Sequence, residues 1–350
     1  MRVAFFTDGP EGPGSRFRCL QLFPALQARG IECTAHFAYD ERYNEVFQRS
    51  WAPAYKLSAR LKRVTHLLLD TGYDLVFLHK TALAFSGLPE YLRHLRHTPM
   101  VFDFDDAIHL SAAGKSNYFR RGTFQRVVSI VDHVIAGNAY LAEIAGVPHK
   151  TTIIPTVVDT TVHALRPPNT GQPLVIGWIG TASNFPHLVP VMPELLKAVE
   201  QIPDARLRIV SNAVMSTYEN HPRVEHWRWQ KARELQALHS FDIGLMPLSD
   251  TEQTRGKCGF KMLQYMAVGV PVVASAVGAN LALFEGSRAG ALVPPGGDWV
   301  EPILALAGSC ELRLATGRAA REHVMTHYSV ESVVEKYASI FRGLVKHPRR

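Results

Sequence analysis

Short apolar runs alternate along this chain with stretches of helical periodicity. The first run, Val3-Ala4-Phe5-Phe6-Thr7, stops at Asp8-Gly9-Pro10. A run that short, with no polar alternation, suits a strand covered on both faces of a parallel sheet. A Gly/Pro-rich loop (Gly9 to Gly14) follows, then a helical pattern from Ser15 through Gln27, with Ser15 as the candidate N-cap and Gly30 just past the end. Apolar runs recur at Cys33–Phe37, Leu75–Leu78, Met100–Phe104, Val134–Ala136 and Thr152–Ile154. The alternation halts at Arg166-Pro167-Pro168-Asn169-Thr170-Gly171-Gln172-Pro173, whose composition is that of a linker. It restarts with strands at Leu174–Ile179, Arg206–Val210, Ile243–Met246, Pro271–Ser275 and Ala291–Val293, with a helix from Phe260 to Val268. The expected class is α/β, with two Rossmann-like, doubly wound domains. Their bounds are 1–165 and 174–328, joined by the linker 166–173. A final helix within 329–350 spaces Val333, Val334, Tyr337, Ile340, Phe341 and Leu344 along one face. Either domain could cover that face, and packing back on the N-terminal domain is one of the two arrangements.

Composition narrows the class without naming a chemistry. Apolar residues make up 47% and charged residues 20%, which excludes a disordered or fibrous chain. Cys19, Cys33, Cys258 and Cys310 are too scattered for a zinc ribbon or a disulfide scaffold, and they fit a reducing, cytoplasmic setting. The N-terminal run turns polar at Asp8, too early for a secretory segment. Tyr265 to Phe284 carries no charge, but Gly269, Pro271, Gly278 and Asn280 break it into helix end, turn, strand and turn. A balance of 38 Lys+Arg against 31 Asp+Glu, net +7, suits an anionic partner.

Candidate chemistry gathers where strands are followed by loops. Gly12, Gly14, Ser15 and Arg16 follow the first strand, where glycines admit a ligand's close approach and an arginine can hold a phosphate or carboxylate. The spacing is not G-x-G-x-x-G, so no dinucleotide fingerprint is present, and a tight turn with a solvated arginine is the plainer reading. Asp103, Asp105 and Asp106 end the fourth strand. They read as a D-x-D metal site, as acceptors for sugar hydroxyls, or as a structural cap. Gly114-Lys115-Ser116 imitates the end of a P-loop, but His109 stands where its first glycine belongs.

The most specific segment runs from Arg255 to Ser275: a basic, Gly-containing loop, a helix from Phe260, a Gly stop, and an apolar strand. Lys257 and Lys261 at a helix start oppose the macrodipole unless an anion sits there, two solvated lysines on a surface helix being the plainer reading. Lys261 and Gln264, three apart, share a face, so one can take a phosphate and the other a ribose hydroxyl.

Met266-Ala267-Val268-Gly269-Val270-Pro271-Val272-Val273-Ala274 resembles the nucleotide-sugar signature of the family 4 glycosyltransferases. Ile154-Pro155-Thr156-Val157-Val158-Asp159 and Ile176-Gly177-Trp178-Ile179-Gly180-Thr181 resemble further family segments. Gln264 stands where the family has a ribose-binding glutamate and Gly256 where it has another acid, so both signature acids are replaced. The resemblance implies the GT-B fold, with the two domains facing a cleft. It implies transfer of a sugar from a nucleoside-diphosphate sugar to an acceptor hydroxyl, with retention, in glycan, polysaccharide or glycolipid synthesis. It also implies that no metal or other cofactor is used. Lys257, Lys261, Arg255, Gly259, Phe260 and Gln264, with Thr181 and Asn184, then bind the donor. Lys261 with Asp105 and Asp106 are the candidate catalytic residues, the carboxylates standing in for the acid missing at Gly256.

The resemblance implies an acceptor that is a glycan or a lipid-linked molecule, and no nucleic-acid partner is expected. Arg60, Lys62, Arg63, Arg93, Arg96, Arg120, Arg121 and Arg126, interleaved with Trp51, Tyr55, Tyr118, Phe119 and Phe124, are either a peripheral contact with an anionic inner membrane face or a solvated basic surface. A nucleotide-sugar 2-epimerase and a non-catalytic nucleotide-sugar-binding subunit share the implied architecture and are the alternatives.

Overall fold

In the computed structural model, residues 1–41, 46, 49, 51–111, 114–167 and 173–346 are described. Pro168 to Gln172 of the expected linker lie outside the described residues. Two parallel sheets of six strands each organise the chain. The first comprises β1 (Arg2–Thr7), β2 (Glu32–Phe37), β3 (Leu75–His79), β4 (Met100–Phe104), β5 (His133–Ala136) and β6 (Thr151–Ile153), in the order β2-β1-β3-β4-β5-β6. The second comprises β7 (Val175–Ile179), β8 (Arg206–Ser211), β9 (Val224–Arg228), β10 (Ile243–Met246), β11 (Val272–Ser275) and β12 (Gly290–Val293), in the order β12-β11-β10-β7-β8-β9. Strand order reverses between β1 and β3 in one sheet and between β7 and β10 in the other. In doubly wound sheets, ligands bind beyond the strand carboxyl ends at such reversals.

Contacts divide the chain into two units. Unit 1 holds Met1–Val157, Gly256–Cys258 and the helix that begins at Val330, and unit 2 holds Val158–Arg255 and Gly259–Ser329. The chain thus passes into unit 2 at Val158, ahead of the Pro/Gly run. Arg166, at the start of that run, is buried in unit 2 and paired with Asp242 at 3.1 Å.

The central strands of both sheets have the continuous burial that the apolar runs predict, whereas the edge strands β2, β6, β9 and β12 do not. Val3 to Phe6 and Leu75 to His79 are at most 1% exposed, because helices cover both faces. The C-terminal helix, Val330–Lys346, lays Val333, Val334, Tyr337 and Phe341 against Val3, Phe5 and Phe77 of unit 1.

Two elements differ from the sequence expectation. The helix expected over Ser15–Gln27 is three short pieces, Pro13–Arg18, Leu20–Leu22 and Phe23–Gln27, with Pro24 opening the last. Gly12 is its N-cap and Pro13 its first residue, a position where the missing N–H costs nothing, so Ser15 lies inside the helix. Strand β9 has no apolar run to announce it, since Val-Glu-His-Trp-Arg forms a sheet edge with only Val224 buried. Among the described residues, no helix is long and apolar enough to cross a membrane.

Candidate active site

In unit 1, the carboxyl ends of β1, β3 and β4 deliver Thr7, His79 and Asp103 to the strand-order reversal, with Lys80, Asp105 and Asp106 just beyond. His79 is fully buried. Its Nε2 lies 3.3 Å from Asp105 Oδ1 and 4.0 Å from Asp103 Oδ2, and its Nδ1 lies 3.4 Å from Thr7 Oγ1. An ionised carboxylate only accepts, so Nε2 carries the proton that faces Asp105, while Nδ1 pairs with the Thr7 hydroxyl. Thr7 Oγ1 is in turn 2.7 Å from Ser15 Oγ. Gly14 is needed here for a close approach, because a Cβ would lie 2.2 Å from His79 Cε1. Both Ser15 and Gly14 are therefore occupied with the imidazole and its hydroxyl chain.

Lys80 extends this cluster outward. It adopts φ 64°, a left-handed conformation uncommon for a residue with a side chain. Its Nζ lies 2.9 Å from Asp106 Oδ2 and 3.5 Å from Asp105 Oδ1. Burial pushes the Asp105 carboxyl up, but the Lys80 ammonium and the His79 hydrogen bond outweigh it and hold the group well below the usual carboxylate range. Asp106 is about half exposed, at 52%.

Arg18, which the sequence reading did not select, is also buried in this unit. Its Nε donates to Asp103 Oδ2 at 3.1 Å, a second guanidinium nitrogen pairs with Asp103 Oδ1, and Nη1 donates to the Ile154 carbonyl at 2.8 Å. Asp103 is fully buried and is the counter-ion of Arg18, a role that none of the three readings of the aspartate cluster named. Arg16, half-buried, lies with its guanidinium 4.6 Å over the Phe17 ring. Gly256 packs on Ala107, where a Cβ would lie 2.8 Å from the alanine methyl. The Lys257 carbonyl accepts from Asn138 Nδ2 at 3.1 Å, and Cys258 Sγ lies 3.2 Å from the Asp105 carbonyl.

The basic face of unit 1 is smaller than expected. Arg63 is buried, donating to the His79 carbonyl at 2.9 Å and pairing with Asp8 at 3.2 Å. Arg93 is buried too, donating to the Asp70 carbonyl, and Phe124 belongs to the core. Arg60, Lys62, Arg96, Arg121 and Arg126 are exposed, together with Trp51, Tyr118 and Phe119.

In unit 2 the reversal between β7 and β10 is built around glycines. A Cβ on Gly177 would lie 2.0 Å from the Phe241 ring, and one on Gly244 would lie 2.5 Å from the Tyr265 ring. These two positions give the aromatic rings room between diverging strands. The Tyr265 hydroxyl then bridges the gap, accepting from Ile179 N–H at 3.0 Å and donating to the Leu245 carbonyl at 3.3 Å.

The helix Phe260–Ala267 points its first turn at the same place. Gly259, its N-cap, has φ 61°, and a Cβ there would lie 2.3 Å from Leu283. Lys261 lies along the end of β7: its ammonium is 4.9 Å over the Trp178 ring, and a Cβ on Gly180 would touch its Cε at 2.6 Å. Thr181 and Asn184 are brought together, with Asn184 Nδ2 donating to Thr181 Oγ1 at 2.9 Å, and Asn212 Oδ1 accepts from Ala182 N–H at 2.8 Å.

Two expected donor contacts are placed differently. Arg255 is exposed and held bidentately on Asp250, its Nε and Nη2 donating to the two carboxylate oxygens at 2.8 and 3.0 Å. Gln264 is only 4% exposed, and its carboxamide nitrogen is buried without a partner, so a ribose hydroxyl would reach it only if the side chain turned outward. Sequence reasoning also passed over a pocket of about 450 Å³ beside β9, lined by Trp227, Trp229, Gln230 and Arg233 among others. The two tryptophans around Arg228 were its available signal.

Residues 173–308 match the sequence model of the family described as glycosyl transferases group 1. No curated protein matches the sequence. Among solved structures, the chain is similar to sucrose-phosphate synthase from Thermosynechococcus elongatus, with a TM-score of 0.74 at 16% identity over 99% of each chain. It is similar to HepE of Anabaena, solved in complex with UDP and glucose, with a TM-score of 0.74 at 15% identity over 98% of this chain and 100% of the other. A glycosyltransferase from Rickettsia africae aligns at a TM-score of 0.69 and 14% identity, covering 99% of both.

Proposed function

From the premise that residues 173–308 are a group 1 glycosyl transferase segment on a chain of GT-B fold, we propose that this protein moves a sugar from a nucleoside-diphosphate sugar to an acceptor hydroxyl, with retention at the anomeric carbon. Unit 2 holds the donor. The observation that carries this reading is Lys261, laid over Trp178 against Gly180 at a helix start and at a strand-order reversal. That is where a diphosphate meets a cation, backbone N–H groups and the positive end of a helix. Charge grows on the diphosphate as the glycosidic bond breaks, so donors already aimed at it lower the barrier. Lys261 and the N–H groups of Gly259 and Phe260 supply them. Thr181 and Asn184 add hydrogen bonds. The tryptophan-lined pocket beside β9 fits a stacked nucleobase.

Unit 1 serves the acceptor. Lys80 and His79 hold Asp105 as an anion with little appetite for a proton, which makes Asp105 the group that positions Lys80 and His79. Asp106, more exposed, is the carboxylate that faces an incoming hydroxyl. The exposed set Trp51, Arg60, Lys62, Tyr118, Phe119 and Arg121 suits an acceptor presented at an anionic lipid surface, in glycolipid or polysaccharide synthesis.

The test has two stages. Thermal-shift screening against UDP-, GDP- and dTDP-sugars identifies the donor, since a ligand at 100 times its Kd adds about 2.7 kcal/mol. HepE makes UDP-glucose the first to try. With that donor, Lys261→Ala should lower kcat by roughly 100- to 1,000-fold, the loss typical of a missing oxyanion donor. Unchanged turnover would remove Lys261 from the mechanism.

A further inference from the structure

Three side chains of unit 1 converge at the edge of the first sheet, apart from the residues described so far. His36 lies on the edge strand β2, His66 on the last turn of the helix Ala52–Leu69, and Asp70 caps that helix. His36 Nδ1 is 3.1 Å and His66 Nδ1 is 2.9 Å from one and the same oxygen, Asp70 Oδ2. The three ligand atoms all lie within 4.8 Å of one another. We propose that His36, His66 and Asp70 form a divalent-metal site suited to Zn²⁺, which ties the edge strand β2 to the end of the helix.

The donor set and the spacing both suit that ion. Zn²⁺ takes imidazole nitrogen and carboxylate oxygen at about 2.0–2.2 Å in a tetrahedron, which places ligand atoms roughly 3.3–3.5 Å apart. The two nitrogen–oxygen separations, 2.9 and 3.1 Å, fall just inside that edge, so an ion enters by a small outward movement of the side chains. Exposure of 14% for His36, 29% for Asp70 and 39% for His66 leaves room for a water as fourth ligand.

The surroundings aim the ligands. The His36 ring stacks on Phe6, with centroids 4.7 Å apart and planes 13° from parallel. Its far nitrogen, Nε2, is 3.2 Å from the Tyr73 hydroxyl. A hydroxyl that accepts from Nε2–H leaves Nδ1 as the lone pair that faces the ion, the outer-sphere arrangement common behind metal-bound histidines. His66 and Asp70 are four apart on one helix face, and Arg93 anchors the Asp70 carbonyl at 2.8 Å.

Chelator-treated full-length protein is titrated with Co²⁺ and then with Zn²⁺. The expected result is one equivalent of cobalt with the strong visible bands of a tetrahedral site, displaced by one equivalent of zinc. His66→Ala and Asp70→Asn, checked for native circular dichroism, should lose that equivalent. Tyr73→Phe should keep it and weaken it roughly 10- to 100-fold. Wild-type protein that gives only the weak bands of octahedral cobalt overturns the proposal, whatever the variants do. So does zinc stoichiometry that is the same in wild type and His66→Ala.

Discussion

Removing one oxygen from Tyr265 tests how the carboxyl ends of β7 and β10 are held apart. The ring is fully buried against Phe241 at 5.9 Å and over Gly244, so Tyr265→Phe keeps the packing and deletes only the bridge. Two hydrogen bonds disappear, one from Ile179 N–H at 3.0 Å and one to the Leu245 carbonyl at 3.3 Å. The amide is then left buried without an acceptor, since β7 and β10 pair only at Ile176 and Gly177 and have separated by Ile179. A net hydrogen bond contributes about 1 kcal/mol, and a stranded buried donor costs about 1–3 kcal/mol. The carbonyl keeps a second lone pair and suffers less, so the expected loss is about 2–3 kcal/mol. For a domain of this size that lowers the melting temperature by roughly 4–12 °C. Urea unfolding followed by tryptophan fluorescence is the assay, because Trp178, Trp227, Trp229 and Trp299 lie in unit 2 and only Trp51 lies in unit 1. A loss below about 0.5 kcal/mol would refute the bridge, because a buried, stranded amide costs more than that.

Two further outcomes follow from unit 1. Asp105 has its folded pKa depressed, so its contribution to stability is complete above the unfolded carboxyl value of about 3.9 and disappears as pH falls below that value through the folded one. The stability gap between wild type and Asp105→Asn, measured by denaturant titration at several pH values, should be flat near neutrality and shrink in acid; a gap that widens in acid would reverse the assignment. Phe341 is fully buried, with its ring 6.1 Å from Phe5 and 5.9 Å from Phe77. Phe341→Ala should cost about 3–5 kcal/mol of unit 1 stability, and a cost near zero would mean that the C-terminal helix is not part of that core.

Much of the fold was legible because parallel strands buried on both faces must be apolar throughout. Val3–Phe6, Leu75–Leu78 and Val272–Ala274 betray themselves for that reason, and β9, half-exposed at an edge, does not. Lys261 was legible as a cation placed against a helix dipole, and the Met266–Ala274 run as a family signature. Periodicity by itself therefore determined the α/β class and the two Rossmann-like units, and the Met266–Ala274 run marked the segment for which donor binding is proposed. Arg18, His79, Lys80 and Asp103 were not read out as a group. Nothing local joins them, since strand order is set by backbone hydrogen bonds that carry no side-chain label. Only the tertiary structure decided that β1, β3 and β4 lie side by side, that Asp103 is spent on Arg18, and that Asp105 is held ionised by Lys80. An ionic network of this kind depends on distances of a few ångströms between residues far apart in the chain, and those distances exist only once the sheets have formed.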